Sequence, residues 1–487
     1  MITGKEVKVL DINAEYYGTL PEKLMENAGT NVANYIKKHT KDPTIVIICG
    51  LGNNGGDGFV AARHLSKTFP VTLFLVGREE KIHTDIARMN FSKLKSLPIS
   101  LHDQRHLDKL SAKLDEATVI IDAMLGVGIT GELRSPYDDI VSTINQLSDK
   151  FIVSVDIPTG MGTSKAVHPD ATITFHDKKP EMKKENCGDL IIADIKIPKK
   201  AQTHVGPGEL SVYYPRSKKE SHKGQNGRVL VVGGGPFTGA PALSGLAALR
   251  TGSDLAFVAT PKNAAQIIAS YSPNLIVHPL ESDTFLSEND VSTVVSYFNQ
   301  VDSVLIGPGL GDSSETNAAV RSIIKEAVSS SKKIVIDADA IKPLFNHHDL
   351  LKSSEIVITP HAQEFTRLTG ETLHPDLTKK QKQVQTWAKK LNVSLFLKGS
   401  TDILSDGDSL RLNTIHNPAM TVGGTGDVLA GIIAALLSKN VPAMTAMRIA
   451  AFLNGQAGNK TFKTFSYGLL STDIVDNIPL VLNEYVY

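Results

Sequence analysis

The chain has 487 residues and carries no formal net charge, because 51 Lys and Arg side chains balance 51 Asp and Glu side chains. A neutral chain is unsuited to binding nucleic acid through many phosphate contacts, and the length exceeds one ordinary core and predicts two domains. Two cysteines are too few for a disulfide framework, and neither a signal peptide nor a long apolar run is found. We therefore expect a soluble, cytoplasmic protein that binds neither nucleic acid nor a membrane.

Short runs rich in Val and Ile alternate with longer mixed segments along the chain, a pattern typical of a parallel sheet covered by helices on both faces. The strands predicted for the first half are TIVIIC, VTLFLV, TVIIDAML, FIVSVDIP and ATITF. Those predicted for the second half are RVLVVGGG, DLAFVAT, SVLIGPGLG, KIVIDADAI, EIVITP and VSLFLKG. Between them, a stretch rich in Pro, Gly and charge lies near residues 215–224. We predict two α/β domains, residues 1–215 and 216–487.

The first predicted strand leads into GLGNNGGDGFVAARHL, residues 50–65, which satisfies G-x-G-x-x-G. Such glycines let backbone N–H groups approach a phosphate at a helix N-terminus. The acidic residue that an ordinary dinucleotide fold places after the second strand is absent, since VTLFLV leads into Gly and Arg. Asn53, Asn54 and Asp57 also add donors and acceptors that a phosphate cradle does not require. We expect this loop to hold more than a diphosphate, which argues against a simple dehydrogenase.

Two later strands of the first half end in acidic residues, at the edge where open α/β sheets bind ligands. Asp122 ends one apolar run and precedes a glycine-rich loop, residues 126–131, while Asp156 ends the next run and is followed by Thr159. If these strands are neighbours, the three side chains and Asn54 line an oxygen-rich pocket that suits a hard cation. The alternative is that each aspartate only caps the turn or helix that follows it.

The motifs LMENAG, NNGGDG, DAMLGVG and VDIPTG, in this order, resemble the NAD(P)H-hydrate epimerase domain of bifunctional nicotinamide-nucleotide repair enzymes, over roughly residues 5–214. The resemblance implies a K+ ion held by Asn54, Asp122 and Thr159, and leaves Asp122 and Asp156 as alternatives for the catalytic acid or base. Many members of the family carry a basic residue where this chain has Thr130, so no proton transfer is assigned to that position. The implied substrate contacts are Asn53, Asn54, Gly55, Gly56, Asp57, Gly126, Val127, Gly128, Ile129, Thr130, Gly131, Glu132 and Asp156.

The segment TVGGTGDVLAGIIAALL carries the strongest signal of the second half. Its glycines leave backbone N–H groups free at the start of a helix, where the macrodipole favours negative charge, and Asp427 lies in the first turn. Phosphoryl transfer needs such donors and a base that accepts the proton of the attacking hydroxyl. Asp427 is the predicted base, and the alternative is an acid that only complements the helix dipole. Thr425 is expected to be structural rather than catalytic.

Two other residues that follow predicted strands suggest a ligand site. Lys398, with Gly399 and Ser400, lies where an ammonium and backbone donors can meet a phosphate, although a solvated surface lysine is the alternative. His361 also follows a strand, where a lone histidine can equally be a hydrogen-bonded structural residue.

Ribokinase-type sugar and vitamin kinases resemble the GGTGD segment, because their GxGD signature occupies the same strand-to-helix position. The motifs SHKGQNGRVLVVGGG, TGAPALSG, IGPGLG, DADA, TPHAQEF, LKGSTD and NPAMTVGGTGD together resemble the NAD(P)H-hydrate dehydratase domain of that superfamily, from about residue 221 to the C-terminus. TPHAQE departs from the usual TPHPGE, so Ala362 and Gln363 should change the stiffness of this loop while His361 keeps its place. The implied hydrate contacts are Ala240, Gly309, His361 and Asp427. The implied adenine-nucleotide contacts are Lys398, Gly399, Ser400, Thr401, Asp402, Gly423, Gly424, Thr425 and Gly426.

Together the two resemblances imply an N-terminal Rossmann-like three-layer αβα domain and a C-terminal ribokinase-like αβα domain, both doubly wound. The first would epimerise the R and S hydrates of NADH and NADPH, and the second would dehydrate the S form. K+ is implied for the first domain, Mg2+ for the second, and ADP or ATP as phosphoryl donor; we also expect a homo-oligomer. Two alternatives are kept. One is a ribokinase-like kinase fused to a non-catalytic nucleotide-binding domain, and the other is a non-catalytic nucleotide sensor, although intact motifs in both halves speak against either.

Overall fold

The computed structural model of the protein describes residues 1–102, 104–128, 131–351, 353 and 355–486. The chain folds into two compact units, Met1–Gln202 and Thr203–Tyr487. This division lies upstream of the 215/216 border placed from the sequence. The helix Pro207–Tyr213 explains the difference, because its Glu209 accepts a hydrogen bond from Nη2 of Arg448, deep in the second unit, at 3.1 Å.

Seven strands form the sheet of the first unit: β1 (Ile45–Cys49), β2 (Val71–Val76), β3 (Ile99–Leu101), β4 (Val119–Ala123), β5 (Phe151–Val155), β6 (Ala171–Phe175) and β7 (Asp189–Ala193). All are parallel, in the order β3-β2-β1-β4-β5-β6-β7. The helices that accompany them are α1 (Gly4–Tyr16), α2 (Pro21–His39), α3 (Asn53–Leu65), α4 (Asp85–Ser92), α5 (Gln104–Glu116), α6 (Tyr137–Asn145), α7 (Lys184–Cys187) and α8 (Lys199–Thr203), the last ending at the division between the units.

Nine strands form the sheet of the second unit: β8 (Arg228–Val232), β9 (Leu255–Thr260), β10 (Leu275–Pro279), β11 (Ser303–Ile306), β12 (Lys333–Ile336), β13 (Ile356–Ile358), β14 (Ser394–Leu397), β15 (Asp402–Ser405) and β16 (Leu410–Asn413). Their order is β10-β9-β8-β11-β12-β13-β14-β15-β16, parallel up to β14 and antiparallel from there. The helices are α9 (Pro207–Tyr213), α10 (Gly239–Arg250), α11 (Lys262–Tyr271), α12 (Val291–Ser296), α13 (Ser314–Ser329), α14 (Ala362–Thr369), α15 (Leu377–Leu391), α16 (Thr425–Ser438), α17 (Ala443–Phe465) and α18 (Ser471–Tyr485).

Each sheet is buried on both faces, as the near-continuous apolar strands predict. In β1, Ile45 and Ile47 join one core cluster while Val46 and Ile48 join another, because side chains alternate across a strand. All four are at most 1 % exposed. Such burial contributes about 1.5–3 kcal/mol for each large aliphatic side chain, so the strands that carry the sites are held firmly from both sides.

The prediction of two α/β domains is confirmed, and every strand predicted from an apolar run is present. Five strands were not predicted: β3, β7, β10, β15 and β16. Four of them, β3, β7, β10 and β16, are edge strands, and they are short or carry exposed residues, so they lack the continuous apolar signal. The second sheet is parallel up to β14, where a short connection lets the chain return as an antiparallel strand.

The strand order places a crevice in each unit at the carboxyl ends of the central strands. In the first unit, β1 lies between β2 and β4. The connections that follow β1 and β4 run toward opposite edges of the sheet, which leaves a gap at the carboxyl end of β1. Gly50, at the end of β1, lies so close to the loop after β4 that an added Cβ would be 1.9 Å from the carbonyl oxygen of Met124. In the second unit, Gly307 has φ +128° and an added Cβ there would be 1.7 Å from the carbonyl oxygen of Asp337. Both glycines are required for close backbone approach.

None of the helices in the described parts of the chain is long and apolar enough to cross a membrane.

Candidate functional site

A cavity of about 830 Å³ opens in the first unit at the carboxyl ends of its central strands. Its polar lining includes Asn53, Asn54 and Asp57 from the start of α3 and Asp156 from the end of β5. These residues were predicted from separate motifs, and the fold brings them to one cavity. α1 and α2 contribute mainly apolar residues to the lining, and the loops after several strands contribute the rest.

The glycine-rich loop enters α3 directly, with Asn53 as the first helical residue. Among the described residues of this loop, Gly55 and Gly56 face the protein interior and do not line the cavity. An added Cβ on Gly55 would lie 2.0 Å from the carbonyl oxygen of Gly50, and one on Gly56 would lie 2.6 Å from Cε of Met25. Both glycines therefore allow close packing, while the asparagines and Asp57 face the ligand space.

The Asn54 side chain is 8 % exposed, and neither its Oδ1 nor its Nδ2 has a hydrogen-bond partner within the described residues. An unpaired buried amide costs about 1–3 kcal/mol, so this group is built to meet a ligand. The neighbouring Asn53 is already engaged, since its Oδ1 accepts a hydrogen bond from Oγ1 of Thr84 at 2.7 Å.

Asp122 is completely buried and accepts four hydrogen bonds. Thr159 donates from Oγ1 at 2.7 Å and from its backbone N–H at 2.9 Å, Ser154 donates from Oγ at 2.9 Å, and the backbone N–H of Met124 donates at 3.2 Å. Burial raises the pKa of Asp122 above its usual value, and these hydrogen bonds lower it. Asp122 does not line the cavity, within the part of the chain that the structure describes. Its carboxylate ties the end of β4 to the turn after β5.

Asp156 lies in the left-handed region, with φ +64°, and pairs with the ammonium of Lys179. Lys179 is 3 % exposed and also donates to Oγ1 of Thr174 at 2.7 Å and to the carbonyl oxygen of Phe175 at 3.2 Å. Lys179 was not among the predicted site residues. Its only signal was a lysine shortly after a predicted strand, in the charged segment HDKKP.

Two further carboxyl groups line the cavity near this ion pair, Asp57 and Asp11. Burial, reinforced by the negative charges of Asp156 and Asp11, raises the pKa of Asp57 well above its usual value. Burial and Asp156 raise the pKa of Asp11 to about 6, and Lys179 opposes both shifts. Asp11 lies on α1 and was also missed, because nothing in KVLDIN sets it apart from an ordinary helix. The cavity thus combines an ionised pair with protonatable carboxyl groups, which suits proton transfer.

The loop after β4 contributes Gly126, Val127 and Gly128 to the cavity. An added Cβ on Gly126 would lie 3.5 Å from Cβ of Asn54 and 3.6 Å from Oδ2 of Asp156, so the three residues converge. Gly131 has φ +82°, and Glu132 lies away from the cavity, accepting hydrogen bonds from Ser164. Ile129 and Thr130, also predicted as substrate contacts, lie outside the described residues.

In the second unit, the glycine-rich segment predicted to bind an anion leads into α16. Gly424, with φ +93°, is the N-cap, and an added Cβ there would lie 2.6 Å from Cδ1 of Leu243. The carbonyl oxygen of Gly423 accepts a hydrogen bond from the Ser471 hydroxyl. Thr425 donates from Oγ1 to the carbonyl oxygen of Met420 at 3.0 Å, which fits a structural part.

Asp427 lies at this helix start beside Lys398, whose Nζ would be 3.3 Å from a Cβ added to Gly426. Burial, and then the negative charge of Asp337, raise the pKa of Asp427 to about 7, while Lys398 lowers it. Lys398 itself forms ion pairs with Asp337 at 2.7 Å and Glu364 at 3.9 Å. The sequence analysis quoted the motifs that contain both acidic partners but assigned neither a role.

The remaining predicted nucleotide contacts form an ordered loop. The Asp402 carboxylate accepts hydrogen bonds from the backbone N–H of Gly399 and from Nδ2 of Asn413, both at 2.9 Å. Asp402 therefore holds the Lys398–Asp402 loop in shape. Ser400 is exposed and available to a ligand.

The three predicted hydrate contacts besides Asp427 lie on different elements. His361 is the N-cap of α14, where its Nδ1 accepts from the backbone N–H of Gln363 at 3.1 Å and of Glu364 at 3.4 Å. Its side chain is 48 % exposed, so it combines a capping contact with access to solvent. Gly309 has φ +69° and faces the carbonyl oxygen of Phe237, and Ala240 lies in the first turn of α10.

Metal binding in either unit would need more than acidic side chains alone. Among the described residues, no group of three or more His, Cys, Asp or Glu side chains is arranged to hold a metal ion. A cation would need amide or carbonyl oxygens, or the phosphates of a ligand, to complete its shell.

Comparison with known proteins covers both units. A family model described as NAD(P)H-hydrate dehydratase matches residues 229–480, and one described as YjeF-related protein N-terminus matches residues 21–181. Over 485 residues the chain is 40 % identical to the bifunctional NAD(P)H-hydrate repair enzyme of Archaeoglobus fulgidus, an alignment that spans 98 % of this chain and 97 % of the relative.

Two solved structures resemble the ribokinase-like part. A ribokinase-like superfamily protein from Enterococcus faecalis is 26 % identical, with a TM-score of 0.52, and the match covers 58 % of this chain and 96 % of that one. The ADP/ATP-dependent NAD(P)H-hydrate dehydratase of Bacillus subtilis, co-crystallised with ATP and Mg2+, is 24 % identical with a TM-score of 0.50, and the match covers 58 % and 99 % of the two chains. These likenesses confirm the predicted fold of the second domain.

Proposed function

The chain belongs to the family of bifunctional NAD(P)H-hydrate repair enzymes, and from this premise we propose that both of its units are active. The first unit interconverts the R and S hydrates of NADH and NADPH, and the second dehydrates the S form with a phosphoryl group from ADP or ATP. The observation that supports the proposal most is Asp427, half-buried at the start of α16 beside Lys398.

In the second unit, Asp427 accepts the proton of the C6 hydroxyl as that oxygen attacks the terminal phosphorus of the donor. Lys398 and the backbone N–H groups at the start of α16 stabilise the charge on the phosphoryl group. The ring nitrogen then expels phosphate, and loss of a proton from C5 restores the dihydropyridine. ADP would yield AMP and phosphate, and ATP would yield ADP and phosphate.

The charge of this site fits the predicted Mg2+. Asp337, Asp339 and Glu364 all raise the pKa of Asp427, with Lys398 as the cation that opposes them. Mg2+ commonly binds through one or two carboxylates together with substrate phosphates, and it would neutralise the donor's charge here. Asp337 and Glu364, which flank Lys398, are the residues that would hold it.

In the first unit, inversion at C6 proceeds by loss and return of water or by ring opening, since the ring nitrogen stabilises a cation at that carbon. Of the two strand-end aspartates predicted as candidates, Asp156 lines the cavity, where it pairs with the ammonium of Lys179. Asp122 is out of reach of the cavity space, so we assign the acid–base role to Asp156 and a supporting role to Asp122.

The predicted K+ fits Asn54, whose buried amide has no partner within the described chain. The four acceptor positions of Asp122 are used by donors of the chain, so ligation through its carboxylate would require one of these hydrogen bonds to break. Bound K+ would neutralise part of the negative charge beside the substrate. Thr159 would support it by accepting the backbone N–H of Leu125 at 3.0 Å, which orders the adjoining loop.

The proposal is tested by absorbance at 340 nm after adding enzyme, Mg2+ and ADP, then ATP, to a mixture of R and S NADH hydrates. Recovery of NADH from the whole mixture at an enzyme-dependent rate would support both activities. Recovery that stops at the S fraction would leave the first unit without epimerase activity. No recovery with either nucleotide would favour the alternative of a ribokinase-like kinase fused to a non-catalytic domain.

Dehydration by the second unit should depend on pH through Asp427. Because the pKa of Asp427 is raised to about 7, lowering the pH through this value protonates the base and should reduce kcat/KM for the S hydrate. The measurement is the initial rate of NADH formation from pure S hydrate between about pH 5.5 and 8.5. Asp427→Asn, assayed at high enzyme concentration, is the control. Its kcat/KM should not show the fall at low pH. A wild-type rate that does not change across the range would contradict the assignment.

Asn54→Ala should remove the response of the first unit to K+. The substitution deletes the amide that has no partner in the described chain, and with it one ligand of the ion. We expect K+ in place of Na+ to raise the R-to-S rate and the melting temperature of the wild type, and to change neither for Asn54→Ala. Asn145→Ala serves as the control, because Asn145 lies on α6 with its amide bonded to the chain. An equal K+ response in wild type and Asn54→Ala would contradict this site.

A homo-oligomeric state, a cytoplasmic location and the lack of nucleic-acid binding stay predictions from the sequence. The choice between ADP and ATP is decided by the absorbance experiment.

A further inference from the structure

Asp11 is a carboxyl group that lines the cavity of the first unit from α1. The lining contributed by α1 and α2 mixes apolar residues, among them Val7, Leu10, Leu24 and Met25, with the charged Lys8 and Glu15. Its carboxyl group has no hydrogen bond or ion pair within the described residues, so it caps no helix and orders no loop. A carboxyl group kept in such surroundings costs stability, which makes a functional reason the better account of its presence.

Asp11 comes from a different part of the chain than Asp57 and Asp156. It lies before residue 21, where the match to the family model begins, and on a helix that precedes the first strand. Asp57 instead lies on α3, and Asp156 follows β5. The cavity therefore draws its carboxyl groups from separate elements of the fold.

Inversion at C6 through loss and return of water requires two proton transfers. The departing hydroxyl must gain a proton as the C6–O bond breaks, and the entering water must lose one as the new bond forms. Departure and entry occur on opposite faces of the ring, so two carboxyl groups suit the reaction better than one group alone. No oxidant or reductant is involved, because the oxygen lost as water is replaced by the oxygen of water.

We propose that Asp11 is the second catalytic carboxyl group of the epimerase site, acting on one face of the ring while Asp156 acts on the other. In one direction Asp11 donates its proton to the departing hydroxyl and Asp156 accepts one from the entering water, and in the reverse direction the roles exchange. Lys179 donates to Asp156 and so holds this carboxylate in place for the forward step. This inference rests on the proposed epimerase function of the first unit.

The protonation of the two groups agrees with these roles. Burial and Asp156 raise the pKa of Asp11 to about 6, close to the range in which a carboxyl group can both give and take a proton near neutrality. Burial, Asp156 and Asp11 raise the pKa of the neighbouring Asp57 well above its usual value, and Lys179 opposes this shift.

The test uses Asp11→Asn and Asp11→Leu in the full chain, assayed on pure R hydrate for R-to-S conversion above the rate without enzyme. Loss of a general acid–base group should reduce this rate by about 10²–10⁴-fold in both variants. Leu suits the apolar residues of this lining, so Asp11→Leu should melt at or above the temperature of the wild type, which separates lost chemistry from lost folding. Asp115→Asn, an exposed aspartate of α5, should keep the wild-type rate.

Dehydration of pure S hydrate by the second unit provides a control within the same chain and should be unchanged. A folded Asp11 variant that epimerises within about threefold of wild type would overturn the proposal, since far more should be lost. Parallel loss of R-to-S conversion and of melting temperature in both variants would also overturn it, in favour of a structural role. If the wild type dehydrates S but never converts R, the proposed epimerase function fails instead.

Discussion

Asp427→Asn is expected to slow dehydration of the S hydrate by about 10²–10⁴-fold, because the C6 hydroxyl loses the base that accepts its proton. The substitution keeps the shape of the side chain and leaves the backbone N–H groups of α16 and the ammonium of Lys398 in place. The KM for ADP should therefore change far less than kcat. R-to-S conversion by the first unit should be unchanged. The measurements are NADH formation at 340 nm and AMP release from the same reactions.

Stability distinguishes this expected loss from misfolding. The folded-state pKa of Asp427 is raised from 3.8 to about 7, so at a pH above 7 the ionised carboxylate opposes folding. This destabilisation is absent below pH 3.8, the pKa of Asp427 in the unfolded chain, and is complete once the pH exceeds the folded-state pKa of about 7. Replacing Asp427 by neutral Asn removes the penalty, and the variant should melt no lower than wild type at pH 8.

The matched control is Asp408→Asn, since the side chain of Asp408 is 87 % exposed and remote from α16 in sequence. It should retain wild-type dehydration. If Asp427→Asn instead stays within about tenfold of wild type in AMP formation, Asp427 is not the general base. Asp427 would then be explained as an acidic residue that only complements the dipole of α16.

The parts of the fold that could be predicted are those specified by local sequence. β1, β4 and β5 are continuous apolar runs, and Asp122 and Asp156 stand out because a charge follows directly on such a run. The glycine-rich start of α16 is equally local, since its conformation depends on residues adjacent in the chain. β15 and β16 could not be predicted in this way, because their antiparallel pairing is fixed by tertiary contacts rather than by periodicity.

The same distinction explains which site residues escaped prediction. Asp11 occurs in an ordinary helical segment, and only packing against α2 and the sheet encloses it in a cavity. Lys179 lies in a run of charged residues where a solvated side chain is the usual expectation, yet it is 3 % exposed and neutralises Asp156. Conversely, Asp122 gave a clear sequence signal for a ligand, and the structure surrounds it with four donors of the chain. A strand-end position predicts that an acidic residue matters, and only its partners show whether it meets a ligand.

This contrast leads to opposite expectations for Asp156 and Asp122. Asp156→Asn should lower R-to-S conversion by about 10²–10⁴-fold with the first unit still folded, because it removes the ionised carboxylate of the cavity. Asp122→Asn should mainly lower the stability of the first unit. An asparagine amide would direct N–H donors at some of the N–H and O–H donors that now meet a carboxylate, at a cost of about 2–4 kcal/mol.

Melting temperatures and R-to-S rates of both variants, with dehydration of S hydrate as the control for the second unit, separate the two roles. Asp122→Asn should regain much of its rate when assayed well below its lowered melting temperature, whereas Asp156→Asn should not. If Asp122→Asn is as stable as wild type but inactive, the acid–base role moves to Asp122, and its carboxylate must leave its present hydrogen bonds during the reaction. If both variants keep the wild-type R-to-S rate, neither Asp122 nor Asp156 is an acid–base catalyst, because the first unit would then invert C6 without either carboxylate.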